Sequence, residues 1–304
     1  MSALATGIGL AIAKIILESV STITLNGYMF FLGALIILAD GALSRNFIRT
    51  VTVRPAQLAF LFLVALLFTA ATFCLYSALA LAEPATVSFL SRIELVATLI
   101  LATAFLKEKI SLAELAGFIV VVFGLLLMRY QASVELSRAV VLVVTASFLF
   151  GAAEVLTKYK IDWINHRAFI FYRGLFMSAI YIALGLAIGR IVWITDLRLW
   201  GLLVLAAFFL PYLGRLGYLK AMQNITVSRA SIIVQSQPLF AAAATLVIIG
   251  TFPPAREVAG GLLIIGGVLL IMYLERMGRT KLTGGATKTD SGDTIRPMNS
   301  RRRL

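Results

Sequence analysis

The stretch PATVSFLSRIELVATLILATAFL, Pro84–Leu106, decides the fold. It is an apolar run long enough to cross a bilayer, since a spanning helix needs roughly 20 such residues. Arg92 and Glu94 stand near its middle, beyond easy snorkelling reach of water. An ionisable group at that depth costs roughly 2.5–3.5 kcal/mol on insertion scales and is a functional candidate by default. Two residues apart, the pair points to different helix faces and cannot meet. Each therefore needs a partner on another helix, water or a ligand.

Nine further stretches of the same kind surround it: Ala3–Val20, Leu25–Leu43, Ala56–Leu81, Leu112–Met128, Ala139–Leu156, Phe169–Ile188, Leu199–Leu219, Val227–Ile249 and Val258–Tyr273. The 304-residue chain is 61% hydrophobic and 13% charged, with a mean hydropathy of +0.98. Soluble domains carry about 25% charged residues, so this composition excludes one. The expected fold is an all-α polytopic membrane protein of ten transmembrane helices with short connections.

The net charge of +13 would suit a nucleic-acid binder if it were clustered. It is distributed by topology instead. With a cytoplasmic N-terminus, the segments 44–55, 107–111, 157–168, 220–225 and 276–304 hold seventeen Lys or Arg, against five in the opposite loops. That is the positive-inside pattern. It places both termini in the cytoplasm of a plasma (inner) membrane and argues against a nucleic-acid partner. The lone Cys74 excludes a disulfide framework, and neither metal nor cofactor is expected. Trp163, Trp193 and Trp200 read as anchors at the membrane edges.

The chain also repeats itself. Residues 58–128 and 199–272 share a Tyr-bearing helix (Tyr76, Tyr218), a tight turn, and a closing helix with glycines seven apart (Gly117/Gly124, Gly260/Gly267). At an offset of 144, Gly7 matches Gly151, Lys14 matches Lys158, Glu18 matches Asp162 and Tyr28 matches Tyr172. Five helices per copy is an odd number, so the second copy enters the membrane from the other side. The expected organisation is two inverted five-helix repeats, 1–130 and 138–275, an arrangement common in secondary transporters. A polar, disordered basic tail, 276–304, is expected to follow and to attract anionic lipid headgroups.

These residues resemble a known family. GAAEVLTKY at Gly151–Tyr159, FYRGL at Phe171–Leu175, and Pro84–Ser111 with Glu108 at its exit are similar to the ten-helix EamA type of the drug/metabolite transporter (DMT) superfamily. The resemblance implies a carrier, more often an exporter of amino acids or related metabolites than an importer. Two departures stand out: Ile249-Gly250-Thr251 replaces an acidic exit in the second half, and Glu94 occupies a stretch where relatives are apolar.

The candidate substrate contacts are Arg92 and Glu94, the repeat-related Gln235 and Gln237, and the surface formed by Tyr212 and Arg215. Pro238 lacks an N–H, which would free the Val234 carbonyl and interrupt the ninth helix. The alternative for Arg92 and Glu94 is a structural bridge between helices. Lys14/Glu18 and Glu154/Lys158 are i,i+4 pairs and candidate gates, or else helix-end pairs whose lysines snorkel. Arg173 is read as structural.

No Gly-rich phosphate loop is present. The chain is therefore expected to be no enzyme but a secondary transporter of a small polar solute, with Glu94 and Glu154 as candidate proton carriers. A flippase for a lipid-linked headgroup shares this architecture and stays an alternative. A membrane enzyme would need a cluster of acids or histidines, which the single His166 does not supply. A homodimer is an open alternative to a monomer.

Overall fold

The computed structural model describes residues 2–45, 47–106, 112–129, 134–160, 164–217, 237–251 and 253–286. Every regular element among them is helical: α1 (Ser2–Leu17), α2 (Thr22–Leu43), the short α3 (Phe47–Val51), α4 (Pro55–Leu81), α5 (Pro84–Leu90), α6 (Ile93–Leu106), α7 (Leu112–Arg129), α8 (Val134–Lys160), α9 (His166–Ala187), α10 (Leu197–Ala207) continued by a π-helical turn (Phe208–Gly214), α11 (Gln237–Ile248) and α12 (Ala255–Ala286). Among the described residues, five segments are long and apolar enough to span a membrane: Thr22–Leu43, Pro55–Leu81, Val134–Thr157, His166–Ala187 and Leu197–Gly217. α1 and α11 are shorter apolar helices. α5–α6, α7 and α12 occupy the remaining apolar stretches. The chain is a multi-pass membrane protein.

Lipid supplies no hydrogen bonds, so helix ends must find partners in the protein or at the interface. Ser21 accepts from the Thr24 N–H at the start of α2, Asn165 from Arg167 at α9 and Asp196 from Arg198 at α10. The end of α4 is satisfied from a distance. The Lys14 ammonium donates to the carbonyls of Leu79, Ala80 and Ala82 at 3.0–3.2 Å, groups a helix C-terminus otherwise leaves open.

Two helices depart from the regular spans expected. Ala85–Leu106 is broken into α5 and α6 at Ser91–Arg92. There the side chains compete for the backbone: Ser91 Oγ donates to the Val87 carbonyl and Arg92 Nε to that of Ser88. The ladder tightens in response, with Arg92 N–H bonded to Phe89 O and Glu94 N–H to Ser91 O. The eighth span widens instead. Pro211 has no N–H to give, and the turn around it is π-helical. The bulge fits against glycines of two neighbours: a Cβ on Gly33 would lie 2.6 Å from Pro211 Cγ, and one on Gly9 would strike Leu210.

The interruption expected in the ninth helix, at Val234 and Gln235, lies outside the described residues, which resume with Gln237 and Pro238 in α11. α12 is described as far as Ala286, eleven residues into the segment 276–304. The run Leu274–Leu282 is rich in Leu, Glu, Arg, Met and Lys, which favour helix, and holds no proline to stop it.

The glycine pairs noted in the sequence make one seam. A Cβ on Gly124 of α7 would lie 2.6 Å from Gly260 O of α12, and one on Gly267 of α12 would lie 2.8 Å from Gly117 O of α7. The first glycine of each helix thus meets the second glycine of the other. The opening helices behave alike: Gly7 of α1 abuts Phe240 and Ala241 of α11, while Gly151 of α8 abuts Thr98 of α6. Each half therefore packs its first helix against the fourth span of the other half through one glycine.

Gly266 faces open space beside this seam. Gly267→Val is expected to lower stability by about 1–3 kcal/mol through overpacking, whereas Gly266→Ala leaves it unchanged or slightly higher. Thermal unfolding of the purified protein in detergent checks the pair. Equal effects of the two substitutions would show that the seam is not tight.

Candidate functional site

The break at Ser91–Arg92 and the π turn at Pro211 border the same cavity, of about 270 Å³. α4 contributes Phe68, Thr72 and Tyr76 to its wall, α8 contributes Phe150 and Glu154, and α9 contributes Arg173. Ser2 and Thr6 of α1 lie on it too, with Arg215 and Gln237. Ligand pockets commonly occupy roughly 300–1,000 Å³, so this one suits a small solute.

Arg92 is only 7% exposed, and its charge is met across the bundle. Its Nη2 donates to Gln237 Oε1 at 2.9 Å, while Nε holds the Ser88 carbonyl at 3.2 Å. Glu94 stands in the first turn of α6, where the helix dipole favours a negative charge. It lies within the field of Glu154, Arg92 and Arg215. Arg215 donates to Glu154 Oε1 at 2.6 Å, joining the eighth span to α8.

Arg173 is buried to 6% exposure. Its guanidinium carbon sits 4.7 Å from the centre of the Phe68 ring and 5.9 Å from that of Phe169. The Arg215 guanidinium carbon lies 5.5 and 5.9 Å from the same two rings. Two cations therefore share one aromatic floor.

Of the candidates read from the sequence, the cavity gathers Arg92, Glu94, Glu154, Arg215 and Gln237. Gln235 lies outside the described residues. Tyr212 is not part of the lining; its ring lies 5.5 Å from that of Phe208 and in the field of Asp40. Asp40 in turn pairs with Arg167 at 3.0 Å. Lys14 is 65–68 residues from its carbonyl partners and spends its ammonium on the end of α4, while Glu18 is exposed beyond α1. Lys158 lies in the last turn of α8, four residues from Glu154.

Sequence reasoning passed over Arg173 as a cavity residue, together with Phe68, Phe150, Tyr76 and Thr72. The aromatic residues carry no signal that separates a cavity wall from a core. Arg173 does carry one, because it is an arginine within an apolar span, as Arg92 is.

Apolar helices enclosing a chamber of mixed charge define the class of polytopic membrane transporters. The chain matches the model of the EamA-like transporter family over residues 1–130 and again over 137–273, and it belongs to that family, within the DMT superfamily. It shares its fold with a solved structure described only as "Crystal structure of protein". The identity is 18%, covering 90% of this chain and 96% of that one, with a TM-score of 0.65. No curated protein matches the chain.

The Glu154–Arg215 pair is partly buried, with side-chain exposures of 26% and 14%. Glu154→Gln and Arg215→Gln are each expected to destabilise the protein, and a double-mutant cycle should give a coupling of about 1 kcal/mol or more. Additive effects in thermal unfolding would show the pair to be energetically idle.

Proposed function

We propose that this protein is a secondary carrier that exports a small polar metabolite, an amino acid or related compound, by alternating access. The observation that carries the reading is the cavity where Arg92, Glu94, Glu154, Arg215 and Gln237 converge from both halves of the chain. Buried charges of both signs are costly to keep in a bilayer and serve a solute that must shed its water. The two matches to one family unit supply a reason for alternating access, since two related halves can rock against each other around a fixed site.

One end of the molecule supports the same mechanism. α1 runs from Ser2 at the cavity to Lys14, which clamps the end of α4. Beside it Thr251 donates to Glu83 at 3.0 Å, and buried Thr86 donates to Glu257 of α12. These polar contacts close the Lys14 end, and all can reform with water when they separate. In this reading the cavity is reached from the Ser2 end.

Glu94 is the proposed proton carrier. It lies between a like charge, Glu154, and two cations, Arg92 and Arg215. Cargo that engages the cations changes the field on Glu94 and hence its affinity for a proton, and by linkage the proton changes the affinity for cargo.

Counterflow of labelled amino acids and their hydroxy- and keto-acid relatives in proteoliposomes tests the function. An imposed pH gradient is expected to accelerate flux in the wild type. Glu94→Gln should retain exchange and lose that acceleration. A gradient response that survives in the variant would remove Glu94 from coupling. Absence of flux for every solute from folded, inserted protein would overturn the carrier reading.

A further inference from the structure

The cavity holds a cation, Arg173, that lies in the field of Glu154 and Tyr76 but has no direct polar partner among the described residues. Arg173 makes neither an ion pair nor a hydrogen bond among the described residues, and its Nε is enclosed without an acceptor. Its neighbours are the faces of Phe68 and Phe169. Ring faces attract a guanidinium but offset only part of the cost of taking it out of water. The balance is made worse by Arg215, which lies over the same rings. The carboxylate that might relieve both, Glu154, is held by Arg215 at 2.6 Å. On the other side Arg92 is engaged with Gln237 and lies in the field of Glu94. In ionised form the described lining, with Arg92, Arg173 and Arg215 against Glu94 and Glu154, therefore carries one more cation than carboxylate, and a proton on Glu94 only widens the excess.

We infer that the cargo is a monoanion, an organic acid whose carboxylate docks on Arg173 while its apolar body lies along Phe68, Phe150 and Leu75. A planar guanidinium with unused donors matches a carboxylate in shape and charge. A zwitterion would leave the excess charge in place, and a cation would add to it. A phosphate monoester offers the same acceptor geometry but overshoots the charge. This inference rests on the carrier reading and names the cargo class within it. The buried, unpartnered Arg173 is what makes the site a binding site for an anion rather than a salt bridge between helices.

The test uses probes of one shape and different charge on the full-length protein in detergent. 3-Phenylpropionate is net negative, L-phenylalanine net neutral and 2-phenylethylamine net positive, while 2-phenylethyl phosphate carries the higher negative charge. Ligand-dependent thermal stabilisation is expected to show 3-phenylpropionate binding at least about tenfold more tightly than L-phenylalanine, with the amine not binding. Arg173→Gln is expected to weaken 3-phenylpropionate about tenfold to a hundredfold, and Arg173→Lys less. The wild-type charge series stands as a test even where the Gln variant does not fold.

Equal or tighter binding of the zwitterion, tighter binding of the phosphate, or no binding of 3-phenylpropionate overturns the inference. So does an Arg173→Gln variant of unchanged affinity. Failure of the two readings can be told apart. Vesicle flux of zwitterions without binding of the acid sinks the anion site and spares the carrier. Binding of the acid without flux of any solute does the reverse.

Discussion

A guanidinium inside a hydrocarbon slab is costly to leave without partners, and the way Arg92 is partnered shapes the centre of this molecule. Its Nε takes the Ser88 carbonyl, a group that a continuous helix would have used for its own ladder. The helix breaks there, and α6 begins afresh with Glu94 in its first turn. The Nη2 group reaches α11 at Gln237, so the same residue that interrupts one half also fastens it to the other. One buried charge thus accounts for the broken helix, for the placement of a carboxylate at a helix start, and for a polar contact between the repeats.

Around that centre the packing is done by the smallest residues. With lipid tails as apolar as leucine, helices gain little from hydrophobic burial and associate by close contact. Gly124 and Gly267 bring the backbones of α7 and α12 to carbonyl contact, and Gly7 and Gly151 do so for the opening helices. Gly9 and Gly33 receive the π turn at Leu210 and Pro211. Seams of this kind resist insertion of even one methyl group yet carry no directional bonds. Directional bonds are supplied elsewhere, among them those of the cavity and of the Lys14 end.

Much of this was legible in the sequence, and the misses have physical causes. The apolar runs and the paired glycines are one-dimensional signals, and they mapped onto helices and a glycine seam. Ionisable residues deep in apolar runs were equally visible, which is why Arg92, Glu94, Glu154 and Arg215 could be named. The broken helix at Ser91–Arg92 was not visible, because Ser and Arg are tolerated in helices and only the tertiary demand of Arg92 diverts them. The π turn was hidden in the same way, since Pro211 signals a disturbance but not its form. Arg173 was read as structural, and its place on the cavity wall was hidden because Phe68 and Phe169 beside it look like any core residue in a list of letters.

The repeats agree in packing and differ in chemistry, and that combination bears on how such a molecule works. The position related to Arg173 by the offset of 144 is Met29, which is fully buried and meets Tyr76 with its sulfur 3.9 Å from the hydroxyl. A cation in one half is thus matched by a soft apolar side chain in the other, much as Ile93 and Leu95 of the first half answer to Gln235 and Gln237 of the second. Under the alternating access proposed above, equivalent seams would let the two halves exchange roles at little difference in energy, each making the contacts the other gives up. Inequivalent charges would keep the cavity from being duplicated, so that one set of groups would serve whichever end is open. A framework that were symmetric in its charges as well would double the buried cations without adding a second place for cargo to go.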